Sequence, residues 1–214
     1  MKSLRTTTLK RRRGRPVNEA RKDEILSVAG NLFILNGVSG TSMEQIARDL
    51  GISKLTLYSR FEHKEALFAA VIEAKCQEFI PDIIMEQLDT NSPESSLKKF
   101  AHGLMKLLMS EEAIGMERML MGMTGKDRAR LSALFYEAGP ERTKQNLQNY
   151  LKKLNQSKIL KIPDPHISAE LFVALIKGSD PCFRKAMGVD DIPSEEYIKK
   201  YVRYVVKMFI NFHC

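Results

Sequence analysis

The sequence predicts an all-α protein: a three-helix helix-turn-helix domain near the N-terminus, then a longer, wholly helical C-terminal domain. Three observations predict this. Apolar residues recur at three- and four-residue spacing along most of the chain. No segment alternates apolar and polar residues as a half-buried strand does, and no Asn-Gly or Asp-Gly hairpin turn joins two such segments. Ser, Asn, Gly and Pro fall where helices start and stop.

Asn18 is the expected cap of a first helix carrying Ile25, Ala29, Leu32 and Phe33, which ends near Asn36 and Gly37 in a left-handed stop. Thr41 or Ser42 starts a second, short helix, with Met43, Ile46, Ala47 and Leu50 inward, and Gly51 breaks it. Ser53 caps a third helix with Leu57 and Phe61 inward. A fourth runs from about His63 to Phe79 on Leu67, Phe68, Val71, Ile72 and Phe79, stopped by Pro81. Beyond the Asn91-Ser92-Pro93 loop, helical patterns cover about Glu94–Met109 and Glu112–Met123, then a short helix reaches Ala138. Gly139 and Pro140 are expected to interrupt the pattern before a long amphipathic helix to about Asn155. An irregular stretch from Ile159 to Pro165 precedes two apolar helices, about His166–Lys177 and Ser194–Phe212.

The segment from Thr41 to Phe61 has the anatomy of a DNA-reading helix-turn-helix. Ile46, Ala47, Leu50, Ile52, Leu57 and Phe61 make a small core, and Gly51 supplies the positive φ that the reversal needs. Lys54, Leu55, Thr56, Tyr58 and Ser59 are left outside that core, a basic, hydroxyl-rich face of the kind a major groove meets. Helix, glycine turn and helix also occur in ordinary small bundles; the exposed face and a basic arm one helix upstream favour DNA binding.

The stretch from about Asn18 to Phe79 resembles the DNA-binding domain of TetR-family regulators. Phe33, Gly37, Thr41, Ser42, Ile46, Ala47, Gly51, Ser53, Lys54, Thr56, Leu57, Tyr58, Phe61, Lys64, Glu65, Leu67 and Phe68 carry the resemblance. It implies a dimer whose third helices enter successive major grooves, with Thr41 and Ser42 at the second helix's start and Tyr58 and Lys64 on phosphates. Leu55 departs from the pattern, where many relatives carry glycine, and Glu62 and His63 replace commoner small residues. The second half is similar to the AefR-like C-terminal type of that family. The similarity runs through Phe135 to Arg142, Tyr150-Leu151 and the segment ending at Pro165, with Ser157 and Lys158 where relatives more often have glycine.

Of the net charge of +8, seven units lie within residues 1–15, on Lys2, Arg5, Lys10, Arg11, Arg12, Arg13 and Arg15. Arg12, Arg13 and Arg15 of this arm are candidates to lie in a narrow minor groove or along phosphates; a plain solvated tail is the alternative. No apolar segment follows the arm as in a secretory signal, and no run reaches the roughly 20 residues that cross a bilayer, so a cytoplasmic protein without membrane contact is expected. Cys76, Cys182 and Cys214 are too scattered for a zinc cluster, and His63, His102, His166 and His213 lack helical partners for chelation. No Walker loop, nucleophile elbow, Rossmann fingerprint or zincin helix is present, so neither an enzyme nor a cofactor is expected.

Six of the eleven methionines lie between Met105 and Met123. Methionine repacks at low cost, so Phe100, Leu104, Leu108, Met109, Met119 and Met123 are the candidate lining of a pocket for a small apolar effector. The last two helices are apolar on more than one side, which suits a four-helix homodimer interface. The expected organisation is a flexible basic arm over 1–17, a DNA-binding domain over 18–79 and a dimerisation and ligand-sensing domain over 80–214. The expected function is a transcriptional regulator released from a palindromic operator by its ligand. An architectural DNA-binding protein without ligand response is the alternative.

Overall fold

A computed structural model describes residues 17–82, 88–189 and 193–214, and among them every regular element is helical. The basic arm, with Arg12, Arg13 and Arg15, lies outside the described residues.

Helix α1 spans Val17–Gly40 and bends at Gly37, whose φ of 73° takes it out of helical geometry at the predicted stop. The helix already includes Val17, so Asn18 lies within it rather than at its cap. Three short steps follow: α2 (Met43–Asp49), a turn through Gly51 at φ 62°, and α3 (Lys54–Tyr58). Helix α4 (Lys64–Phe79) packs back along α1. Each of these starts has a side-chain cap: Ser42 Oγ accepts from the Gln45 N–H, Ser53 Oγ from Thr56, and His63 Nδ1 from Ala66. Ile25, Ala29, Phe33, Ile46, Leu57, Leu67 and Phe68 are sealed from solvent between them. The Phe33 and Phe68 rings meet edge to face at 5.6 Å.

The C-terminal half contains α5 (Pro93–Leu108), α6 (Glu111–Gly122), α7 (Asp127–Tyr136), α8 (Arg142–Gln156), α9 (Pro165–Lys177), α10 (Asp180–Ala186) and α11 (Glu195–Phe212). Helices α8 with α9 and α5 with α11 make its main packings. Phe172 sits at the centre, between Phe100 at 6.1 Å and Phe209 at 4.9 Å. The N-terminal core does not end at α4: Met116 and Leu120 of α6, Leu131 of α7 and Ala138 are buried in it.

Gly139 and Pro140 do not interrupt the chain. Residues Glu137–Glu141 form a π-helical turn that joins α7 to α8 in one rod. The wider turn accommodates Pro140, which has no N–H to give. Gly139 is needed for contact with α4, since a Cβ there would lie 2.9 Å from Ile72 Cγ2 and 3.3 Å from Cys76 Sγ. Helix α10, absent from the sequence expectation, starts behind Ser179 with Pro181 in its first turn. It is pinned to α6 by Arg118, whose guanidinium donates to the Lys185 and Ala186 carbonyls at 2.8 and 3.0 Å. Burial pushes the Cys76 and Cys182 thiols up, so both act as small apolar groups.

Candidate nucleic-acid interface

Helix α3 inserts one side chain, Leu57, into the core and leaves the rest outside. Leu55 is 80% exposed and Tyr58 43%, and Lys54 and Thr56 are also exposed, which is the face predicted from the sequence. The Ser53 and Thr56 hydroxyls share a 2.8 Å hydrogen bond at its start. Beside this face Ser42, Tyr58, His63 and Lys64 line a cleft of about 350 Å³.

Two of the predicted contact residues are placed differently. Thr41 is 1% exposed, and its hydroxyl lies 2.8 Å from the Gly37 carbonyl and 3.1 Å from that of Leu32. It therefore stitches the end of α1 beneath the start of α2 and offers no hydroxyl to a ligand. Lys64 is half-buried and donates from Nζ to the Thr41 carbonyl at 2.7 Å, which ties α4 to the same point. An ammonium has three donors, so Lys64 keeps capacity for an anion in the cleft while positioning α2. Thr41→Val removes the shared hydroxyl donor from two carbonyls. It should cost about 1–3 kcal/mol in urea unfolding.

A residue not among the predicted contacts borders this face. The Glu44 carboxylate, in the first turn of α2, lies 3.1 Å from the Lys54 ammonium on α3. Its own backbone N–H, and then Lys54, hold its carboxyl below the usual range. The signal available in the sequence was an acid and a base ten residues apart across a turn, which fixes nothing until the helices are placed.

Residues 25–71 match the family model described as bacterial regulatory proteins, tetR family. Residues 95–213, more than half of the chain, match that of the AefR-like transcriptional repressor C-terminal domain. The chain belongs to the TetR family of transcriptional regulators. It is 27% identical over 161 residues to the biofilm operon icaADBC HTH-type negative transcriptional regulator IcaR of Staphylococcus epidermidis, covering 72% of this chain and 77% of that one. Among solved structures it is similar to the flavonoid-responsive regulator FrrA, with a TM-score of 0.68 and 29% identity over 91% of this chain and 97% of the other. A putative TetR-family regulator from Mesorhizobium loti gives 0.69 and 27%, over 92% and 98%.

This TetR-family chain is thus a DNA-binding transcriptional regulator and not an enzyme. A cavity of about 720 Å³ lies on the seam between the two halves. Leu26 and Ile34 of α1, Val71 and Ile72 of α4, Leu104 and Leu108 of α5, and Met116 of α6 form its apolar wall. Of the six residues predicted to line a pocket, Leu104 and Leu108 border this cavity. Phe100 is sealed against Phe172, Met109 packs on the C-terminal core, and Met119 and Met123 pack on the N-terminal one. The methionines divide between two cores because Met105 and Met109 belong to α5 and its C-terminal end, whereas Met116, Met119 and Met123 belong to α6 and its end. No helix among the described residues is long and apolar enough to cross a membrane.

Proposed function

We propose that this TetR-family protein is a homodimeric repressor that binds a palindromic operator and releases it when a small, largely apolar molecule fills the seam cavity. The observation that carries the reading is the α3 face, where Ser53, Lys54, Leu55, Thr56 and Tyr58 stand outside a core fixed by Leu57. Leu55 suits a thymine methyl, Lys54 a guanine edge, and Ser42, Tyr58 and Lys64 suit phosphates. Arg12, Arg13 and Arg15 would add phosphate or minor-groove contacts.

A second stripe on α11 supports dimerisation. Ile198, Val202, Val205 and Phe209 face the core, while Tyr204 (64%), Met208 (53%) and Phe212 (78%) remain exposed at helical spacing, and Ile167 and Leu171 of α9, which packs on α11, are exposed too. A second copy covering this stripe gives a two-fold dimer of helix pairs.

Effector release is supported by the cavity, which touches α1 and α4 of the reading half as well as α5 and α6. The similar regulator FrrA is flavonoid-responsive. Moving operator occupancy from about 99:1 to 1:99 needs roughly 5.5 kcal/mol, or about 2.7 per site for two sites. That lies within the usual coupling of about 1–3 kcal/mol per effector. The arm favours one other reading, an architectural protein that coats DNA through phosphates, because it concentrates most of the net charge.

The test is substitution on the face. Lys54→Ala should weaken operator binding by about 1–3 kcal/mol, and Tyr58→Phe, which removes a neutral donor to phosphate, should weaken it by about 1–3 kcal/mol with the salt slope unchanged, fold and oligomer being retained in both. Wild-type binding by both variants would remove α3 as the reading element.

A further inference from the structure

We infer that Glu44 is a specificity-determining residue: it keeps Lys54 off the phosphate backbone and presents it to base edges. The inference rests on the operator reading above.

Lys54 is the one cation within α3 and stands at its first position. A helix start is the positive end of the helix dipole, so an ammonium there is poorly placed unless a carboxylate compensates it. Glu44 supplies that carboxylate from α2, across the Gly51 turn, at 3.1 Å. The carboxylate is itself held by its own backbone N–H in the first turn of α2, where a negative charge is favoured. Lys54 Nζ is therefore tied to an anchored group, on an exposed face, beside the cleft that Ser42, Tyr58 and Lys64 line.

The pairing has different consequences on the two kinds of DNA. Non-specific binding is phosphate neutralisation, and a paired Lys54 contributes no net cation to it. At an operator, one ammonium proton faces Glu44 and two donors remain for the adjacent acceptors of a guanine edge. The pair thus survives in the specific complex, and the carboxylate aims the lysine instead of competing with the base.

Glu44→Gln keeps size and hydrogen bonding and removes the charge. Two duplexes serve as probes: one recovered by the wild-type protein from a random-sequence library, and mixed-sequence genomic DNA. On the mixed DNA the variant should gain one neutralised phosphate, which steepens the log K against log salt slope by about 0.9 and, at physiological salt, raises affinity on the order of fivefold. Affinity for the selected duplex should stay level or fall, so the specificity ratio drops at least on the order of fivefold. In a Lys54→Met background the same change should leave the slope on mixed DNA unaltered.

Equal gains on both duplexes would overturn the inference and make Glu44 a plain electrostatic brake. An unchanged slope on mixed DNA would overturn it too. If the wild type recovers no enriched duplex, the operator reading fails, whereas the slope measurements still decide whether Glu44 restrains Lys54. Melting temperature and helix content of the variant check that the fold is retained.

Discussion

Phe33→Ala should destabilise the reading half by about 3–5 kcal/mol and abolish specific DNA binding. Phe33 is wholly buried, its ring is set edge to face on Phe68, and its core holds the inward residues of α2 and α3. A void there removes the surface against which Leu57 fixes α3. The C-terminal core, built on Phe100, Phe172 and Phe209, makes no use of Phe33, so the oligomer should persist. Urea unfolding followed by circular dichroism, with DNA binding on the same samples, measures both effects. Retention of specific binding with a loss under about 1 kcal/mol would show that the head core is not what shapes the face.

Gly103→Ala should be nearly as damaging, although it adds a single methyl. Its Cβ would lie 2.4 Å from the Phe79 carbonyl oxygen, where α4 ends against α5. A backbone carbonyl cannot swing aside as a side chain can, so α4 and α5 must separate, at the upper end of the roughly 1–3 kcal/mol typical of overpacking or beyond it. The displaced end of α4 carries the head, and operator affinity should fall with stability. Gly122→Ala is the control: outside its own helix turn no atom lies within 4 Å of its Cβ, so at this last position of α6 the change should be close to neutral. A neutral Gly103→Ala would show that the α4–α5 crossing is slack.

The helix-turn-helix was legible because its determinants are local. Ser42 and Ser53 cap within three residues, Gly51 turns where expected, and Leu57 against Lys54, Leu55 and Tyr58 divides inside from outside by helical spacing alone. What was not legible depends on contacts distant in sequence. Lys64 meets Thr41 across 23 residues, so a residue expected on phosphate also positions α2. Gly139 reads as a breaker until α4 is seen to need its missing side chain. The methionine cluster from Met105 to Met123 suggested one pocket, whereas the cavity takes Met116 alone from that cluster and draws its apolar wall from α1, α4, α5, α7 and α9 besides α6. Helix α10 is too short for apolar periodicity to declare it and is held by Arg118, 67 residues earlier than the Lys185 carbonyl it meets.

A dimer that reads one palindrome leaves a footprint unlike that of a protein that coats DNA. Nuclease footprinting on genomic fragments, in excess competitor DNA, tests it most directly. The expected result is a discrete protected palindrome whose half-sites lie about 34–36 Å apart, or a multiple of that, centre to centre. Protection that spreads continuously with protein concentration, with no preferred sequence, would contradict it and leave the architectural reading in its place.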